Sequence, residues 1–366
     1  MKEGWIVKKL GEVCEINYGT RVVQKKDGGT IYPVYGGGGA TFKMDRYNRE
    51  DCLVVSRFAM SSQCVRYVRG KFFLNDSGLT VKSMNEDLSQ AYLDRCILSL
   101  NDRIYSLGKG VAQKNLDMQE FKRLNICYPS SREEQTKIVE ELDQLSNIIE
   151  KQRQQLSELD NLAQSIFYDM FGDPVTNEKG WDVKKLKDIA ISQIGLTYIP
   201  DNVSENGTIV LRSSNIQDSS LDFADIVRVN CNIKEKQYVQ EGDILMCSRN
   251  GSFRLVGKVA RIKNLRERMS YGAFMTIIRS NYQDYLFAFF KSPAFREQLI
   301  SAQTATINQI TVKMLDEIIL PLPPMELQQL FAQKIEAIEQ EKEIIKQSIA
   351  ETEELFNSRM DYYFNS

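Results

Sequence analysis

Between residues 135 and 171 the apolar positions fall at Ile138, Leu142, Leu145, Ile149, Leu156, Leu159, Ala163, Ile166 and Met170. The steps alternate between four and three, with one polar interruption at Gln152. This is a heptad seam, which a helix can bury only against another helix. The pattern returns 193 residues later at Phe331, Ile335, Ile338, Ile345, Ile349 and Phe356, interrupted at Lys342 and Thr352. Both stretches close on a serine six residues before a phenylalanine, Ser165 with Phe171 and Ser358 with Phe364. Two seams in one chain, neither with a partner of its own, predict two long helices that pair with each other.

Proline stands just ahead of each helix: Pro129 precedes Ser130, Ser131, Glu133 and Glu134, and Pro323-Pro324 precede Glu326. These residues give the helices a clean start, N-cap candidates and first-turn acids. Gly172 and Pro174 end the first helix. At about 37 residues each, the pair would form a rod of roughly 55 Å.

The remaining chain alternates over shorter periods. Residues 53–55, 64–68, 71–74 and 78–81 read as strands, followed by a helix over 88–100. In the second half 208–211, 243–246, 256–262 and 274–278 read as strands, followed by a helix over 285–300 around Pro293. Residues 36–39, all glycine, read as a flexible, permissive turn. Gly-Trp-Ile-Val-Lys-Lys-Leu at 4–10 returns as Gly-Trp-Asp-Val-Lys-Lys-Leu at 180–186. This opening heptapeptide, the strand order and the helix all recur, so the chain is a duplicated half-unit of α+β class. The expected domains are 1–131 and 173–324, similar α/β globules, with long helices over 132–172 and 325–366.

Charge divides along the same boundaries. Residues 1–131 hold 20 Lys/Arg against 14 Asp/Glu, and 173–324 hold 19 against 17. Each helical segment holds 4 against 9. The globules are mildly basic and the helices acidic, so the globules are the parts suited to approach a polyanion.

Composition narrows the chemistry. The chain has no histidine, which removes Ser-His and Cys-His nucleophile arrangements and argues against a zinc site. The seven cysteines are scattered without a C-x-x-C pair, as expected of reduced thiols. No run approaches a membrane span and the first ten residues lack a signal-peptide core, so a cytoplasmic location is expected. There is no G-x-x-x-x-G-K-[ST], and the glycines at 36–39 lack the G-x-G-x-x-G spacing. No Asn/Asp-Pro-Pro-aromatic tetrapeptide is present to hold a base for methylation. No catalytic residue, metal ligand or cofactor site is therefore expected in this chain.

The positive signal is a strand-to-loop element in each globule: Asp-Cys-Leu-Val-Val-Ser-Arg at 51–57 matches Asp-Ile-Leu-Met-Cys-Ser-Arg at 243–249. Small polar and basic residues follow both. The candidate DNA-binding residues are Ser56, Arg57, Ser61, Ser62, Gln63, Arg66, Arg69 and Lys71 in the first half. In the second they are Ser248, Arg249, Asn250, Ser252, Arg254, Lys258 and Arg261, followed by Lys263, with Arg212, Ser213, Ser214 and Asn215 as a further stretch. Such side chains on loops read base edges and bind phosphate. Two other readings compete: a coiled-coil protein-interaction scaffold without DNA specificity, and an enzyme using carboxylates such as Asp76 or Asp243.

Together these features resemble the specificity (S) subunit of type I restriction–modification systems, along essentially the whole chain. The resemblance rests on the tandem halves, the two opening heptapeptides, and the exits Pro-Leu-Pro-Pro-Met-Glu-Leu-Gln-Gln (321–329) and Tyr-Pro-Ser-Ser-Arg-Glu-Glu-Gln (128–135). Pro-Val-Tyr-Gly-Gly at 33–37, Gly-Asp-Ile-Leu at 242–245 and Asn-Leu-Asp at 115–117 add to it. The first half departs at Glu50-Asp51, where Gly-Asp stands at 242–243. The resemblance implies two target-recognition domains, each reading half of a bipartite DNA target, and two helices paired as an antiparallel coiled coil that sets the spacer. It also implies docking of modification (methyltransferase) subunits, two of them, and of restriction (ATP-dependent translocase and nuclease) subunits. S-adenosylmethionine and ATP would sit on those partners, leaving this chain non-catalytic. Gln152 and Lys342, polar positions in the seam, are then expected to set the antiparallel register.

Overall fold

The computed structural model describes residues 4–110, 113–302 and 309–364. The chain divides into two compact units, residues 1–154 with 346–366, and residues 155–345. Both use the long helices Arg132–Phe171 and Met325–Phe364. Among the described residues no helix is long and apolar enough to cross a membrane.

In the first unit six strands form one sheet, in the spatial order Cys14–Tyr18, Gly78–Ser83, Arg49–Ser56, Val65–Leu74, Tyr32–Gly36, Gly39–Met44. The second unit repeats the first four places with Ile191–Ile194, Met275–Arg279, Ile244–Cys247 and Val259–Arg261. Every adjacent pair within these two sets of four is antiparallel. The second unit adds a three-stranded sheet in which Val203–Leu211 runs parallel to Met269–Tyr271.

The recurring heptapeptide has a structural task in each unit. Trp5–Lys9 pairs antiparallel with Asn125–Pro129, and Asp182–Lys185 with Ile319–Leu322. It thus forms a ribbon with the strand that feeds a long helix. Its closing leucines, Leu10 and Leu186, are buried and begin short helical turns. Both helix starts are pinned by a buried glutamine. Gln135 Nε2 donates to the Pro129 carbonyl at 2.8 Å, and Gln328 Nε2 to the Pro323 carbonyl at 2.7 Å. An amide in the first turn thereby satisfies the carbonyl of a proline that cannot continue the helix.

The helices pair antiparallel within each unit. In the first, Glu141 meets Arg359 and Tyr363, and Gln152 Nε2 donates to Ser348 Oγ at 2.6 Å. In the second, Lys342 Nζ meets Asp160 at 3.0 Å. Positions rise on one helix as they fall on the other. None of the seam residues is exposed. Each of these polar seam positions is answered by a polar residue of the opposite helix within its own unit.

The ends of the helices leave the seam and join the globular cores. Phe356, Met360 and Phe364 pack with Leu10, Tyr92, Ile126 and Ile138 in the first unit. Phe167, Phe171 and Phe331 pack with Leu186, Tyr285 and Leu320 in the second. Tyr92 donates its hydroxyl to the Cys127 carbonyl at 3.1 Å, and Tyr285 donates to the Pro321 carbonyl. The same aromatic-to-ribbon link therefore closes each core.

Three local expectations change. The helix expected over 285–300 is two helices, Gln283–Lys291 and Pro293–Ala302, because Pro293 has no N–H and starts a new helix. Residues 64–68 and 71–74 belong to one strand, Val65–Leu74, whose Gly70 takes a positive φ of 74° opposite the register shift at Glu50/Cys52. Residues 36–39 form a tethered hairpin turn between two strands, not a flexible loop.

Candidate nucleic-acid interface

In each unit a Ser-Arg pair stands where the central strand ends: Ser56 is the last strand residue in the first unit and Ser248 directly follows Cys247 in the second, and both serines are buried. Ser56 is fully buried and donates to the Gly37 carbonyl at 2.7 Å; Ser248 is buried against Thr276 Oγ1 at 2.6 Å. These serines hold backbone and are not offered to a ligand. The following arginine leaves the sheet. Arg57 N donates to the Ser77 carbonyl at 2.8 Å and Arg249 N to the Phe274 carbonyl at 3.1 Å. Ser77 and Phe274 each directly precede the neighbouring strand; Ser56 pairs with Gly78 and Cys247 with Met275, so Arg249 lies one residue further past its strand than Arg57 does.

Around Arg57 the first unit builds a closed-in loop cluster. The Gly37 carbonyl also accepts from Arg66 at 2.8 Å, and Gly37 N donates to Ser77 Oγ at 2.9 Å. A Cβ at Gly37 would stand 2.3 Å from the Phe58 carbonyl, so only glycine fits there. Arg66 is thus committed to the turn and to the Gln63 carbonyl. Ser61, Ser62 and Gln63 are exposed on the loop. Asn101 shapes it, accepting from Cys64 N and Val65 N and donating to the Ser62 carbonyl at 2.8 Å. The hairpin of Gly108–Lys109 with Asn115–Leu116 lies alongside, with Leu116 N donating to the Arg57 carbonyl at 2.9 Å. Lys114 stands 4.0 Å over the Tyr105 ring.

Two further first-unit candidates lie elsewhere. Arg69 reaches Glu150 of the long helix at 3.6 Å. Lys71 sits 4.8 Å over the Tyr47 ring, and a hydrogen bond to that tyrosine holds its pKa up.

In the second unit the structure brings two sequence stretches together. Asn250 Nδ2 donates to Ser213 Oγ at 3.2 Å, and Asn250 Oδ1 accepts from Ser252 N at 3.0 Å. Ser252, Arg254 and Arg249 are exposed beside them in sequence. Four other candidates serve the fold instead. Asn215, 1% exposed, staples the Asp222 and Asp225 carbonyls. Arg212 pairs with Asp225 at 2.7 Å. Lys258 donates to the Ile216 carbonyl at 2.8 Å, and Arg261 pairs with Asp284. Their residue types suit DNA, but each is already held by a partner within the chain.

The carboxylate reading loses its footing at Asp243. Its side chain, 1% exposed, takes both Arg279 Nε and NH2 at 2.7 Å and accepts from Gln240 N. That clamp commits both carboxylate oxygens to holding the turn. A groove of about 700 Å³ in the first unit is lined by Arg49, Asp51, Lys82 and Asp94 among others. Burial pushes the Asp94 carboxyl up to about 6. Among the described residues no group of three or more Cys, Asp or Glu could hold a metal ion.

Missed by the sequence reading were the rings beside the arginines. Arg57 lies 4.8 Å from the Tyr18 ring and 4.5 Å from that of Phe58. Arg249 lies 5.2 Å over the Phe274 ring.

Comparison with known proteins bears on the whole chain. The family model for the type I restriction modification DNA specificity domain matches residues 2–160 and again 178–354. The type I restriction enzyme EcoKI specificity subunit of Escherichia coli (strain K12) is 28% identical over 169 residues, 44% of this chain and 36% of that protein. The StySPI specificity subunit of Salmonella potsdam matches with the same identity and coverage. The chain thus spans about a third of the length of these two relatives. Among solved structures, the S subunit of a type I restriction–modification system from M. genitalium superposes with a TM-score of 0.59, covering 98% of this chain and 96% of that one. At 15% identity that likeness is one of fold.

Proposed function

Because the chain belongs to the type I restriction–modification DNA specificity family, we propose that it is the non-catalytic subunit that gives such a complex its DNA sequence specificity. Each globule reads one half of a bipartite duplex target. The observation that carries this reading is the recurrence, in both units, of a four-strand order whose central strand leads out through a buried serine and a following arginine. Duplicated reading heads suit a target made of two separated half-sites.

The long helices are the docking surface for modification subunits, two in number, and they set the spacer. Supporting this, Ile148, Leu355 and Tyr362 are exposed on the helices of the first unit, and Leu162, Leu330 and Ile344 on those of the second. Large apolar side chains left outside a satisfied seam are what a partner helix buries. S-adenosylmethionine belongs to the modification subunits and ATP to restriction subunits that join them. The complex works on chromosomal DNA in the cytoplasm.

Methylome sequencing of the host with and without this chain tests the proposal. The expected result is one asymmetric bipartite motif that vanishes on deletion. An unchanged methylome, with no salt-sensitive DNA binding by the chain and its modification subunit, would instead favour the protein-interaction scaffold.

A further inference from the structure

Many of the arginines that the fold places near the loops are held by a carboxylate or carbonyl. Arg66 is held by two carbonyls, Arg212 by Asp225, Arg261 by Asp284, and Arg69 by Glu150. Arg57 and Arg249 differ in the same way in both units. Neither guanidinium has an acidic or carbonyl partner among the described residues; each lies against aromatic rings. Arg57 sits beside Tyr18 and Phe58, and Arg249 over Phe274, a ring 57% exposed. The rings come from different places in the two sequences, yet in both units an arginine directly follows a buried serine where the chain leaves the central strand.

A guanidinium packed against a ring keeps its planar edge of N–H donors free and loses much of its rotamer freedom before binding. A planar fork with two parallel donors matches the O6 and N7 acceptors of guanine in the major groove. A phosphate contact needs neither the fixed plane nor the packing.

We propose that Arg57 and Arg249 are the paired base-reading residues of this chain, each recognising a guanine in its own half of the target. This rests on the DNA-specificity reading above. The rings are positioning groups that hold the fork, and Ser56 and Ser248 anchor the backbone from which it projects.

The test is methylome sequencing of a host expressing the full chain with its own modification subunit, comparing wild type with Arg57→Lys, Arg57→Gln, Arg249→Lys and Arg249→Gln. Lysine keeps the charge and loses the fork, which separates base reading from phosphate binding. The expected result is that both Arg57 variants lose about tenfold or more of the preference for guanine at one position of one half-target. The other half should stay intact, and the Arg249 variants should give the converse. Phe58→Leu should weaken the same preference without abolishing methylation.

The proposal is overturned if the lysine variants keep the wild-type motif, or if methylation falls uniformly while every base preference is retained. It is also overturned by a wild-type motif lacking guanine in either half. Failure of the underlying reading looks different: the wild-type complex would then methylate no bipartite motif at all.

Discussion

Replacing Gln152 and Lys342 with leucine should make the two units more stable. Gln152 makes one hydrogen bond, to Ser348 at 2.6 Å, while its Oε1 is buried without a partner. An unsatisfied buried acceptor costs about 1–3 kcal/mol and one hydrogen bond returns about 1 kcal/mol, so the amide is at best neutral there. Lys342 is more finely balanced. Its side chain is 7% exposed, bonded to Asp160 at 3.0 Å and Glu339 at 3.2 Å. Burial pulls the ammonium's pKa down, but Glu339 and Asp160 hold it up by more, and the net is upward. The two carboxylates are 49% and 35% exposed, so losing the lysine returns them to water and strands no buried charge. Leucine at each site then gains apolar burial, less than the full value because the lysine stem already covers the seam. The expected gain is about 1 kcal/mol per site. It should appear in urea unfolding as a higher midpoint at constant slope.

The pH dependence follows from the raised pKa. The lysine's contribution is whole below the ordinary value of 10.5 and fades as pH climbs through its folded value. The lead of Lys342→Leu over wild type should therefore widen in that alkaline range. Light scattering supplies the second readout: without polar positions the seam should admit wrong pairings and a dimer fraction that grows with concentration. A loss of more than about 1 kcal/mol in either single variant would refute the desolvation argument. A double variant that stays monomeric, with an unchanged DNA target, would show that the two residues do not select the pairing.

Asp243→Asn should destabilise the second unit by about 3–5 kcal/mol in urea unfolding, because it breaks a clamp whose acid is fully buried; a neutral result would remove its structural role. Phe171→Ala, which deletes a ring packed against Tyr285 and Phe331 at 5.0 Å each, should cost about 3–5 kcal/mol. Proteolysis should then find residues 155–345 opening first, and uniform opening of both units would contradict the assignment of that core. Asp94→Asn should stabilise the first unit at pH 8 and leave it unchanged at pH 4. The wild-type carboxyl, raised to about 6, opposes folding increasingly as pH rises from about 4 through 6. An equal effect at both pH values would show that its charge is not what matters.

The long helices were legible because a heptad seam is a local signal with a long-range meaning. The seam marks 135 and 328, and the helices begin at Arg132 and Met325, where the proline-glutamine link starts them. The same periodicity passes over Phe167. Ile166 holds the seam slot, yet Phe167 is wholly buried because at that end a globule covers the helix. The candidate site was legible only as residue types. Arg57 and Arg66 look alike in sequence, and what separates them is the Gly37 carbonyl that claims Arg66 from 29 residues away. Phe274 lies 25 residues beyond Arg249, so no local pattern announces their packing. Recurrence between halves was the one sequence signal strong enough to select the Ser-Arg pair.

The first unit takes its core from two distant parts of the chain, residues up to 154 and residues from 346 onward. This has a consequence on the ribosome. At about 5–20 residues per second, roughly 10–40 s separate synthesis of the first globule from arrival of Phe356, Met360 and Phe364. For that time Tyr92, Ile126 and Ile138 lack part of their cover, while residues 155–345 emerge and can fold. The half made first is therefore the half completed last. A ribosome that stalls before the last helix yields an open first unit, a ready substrate for chaperones and proteases.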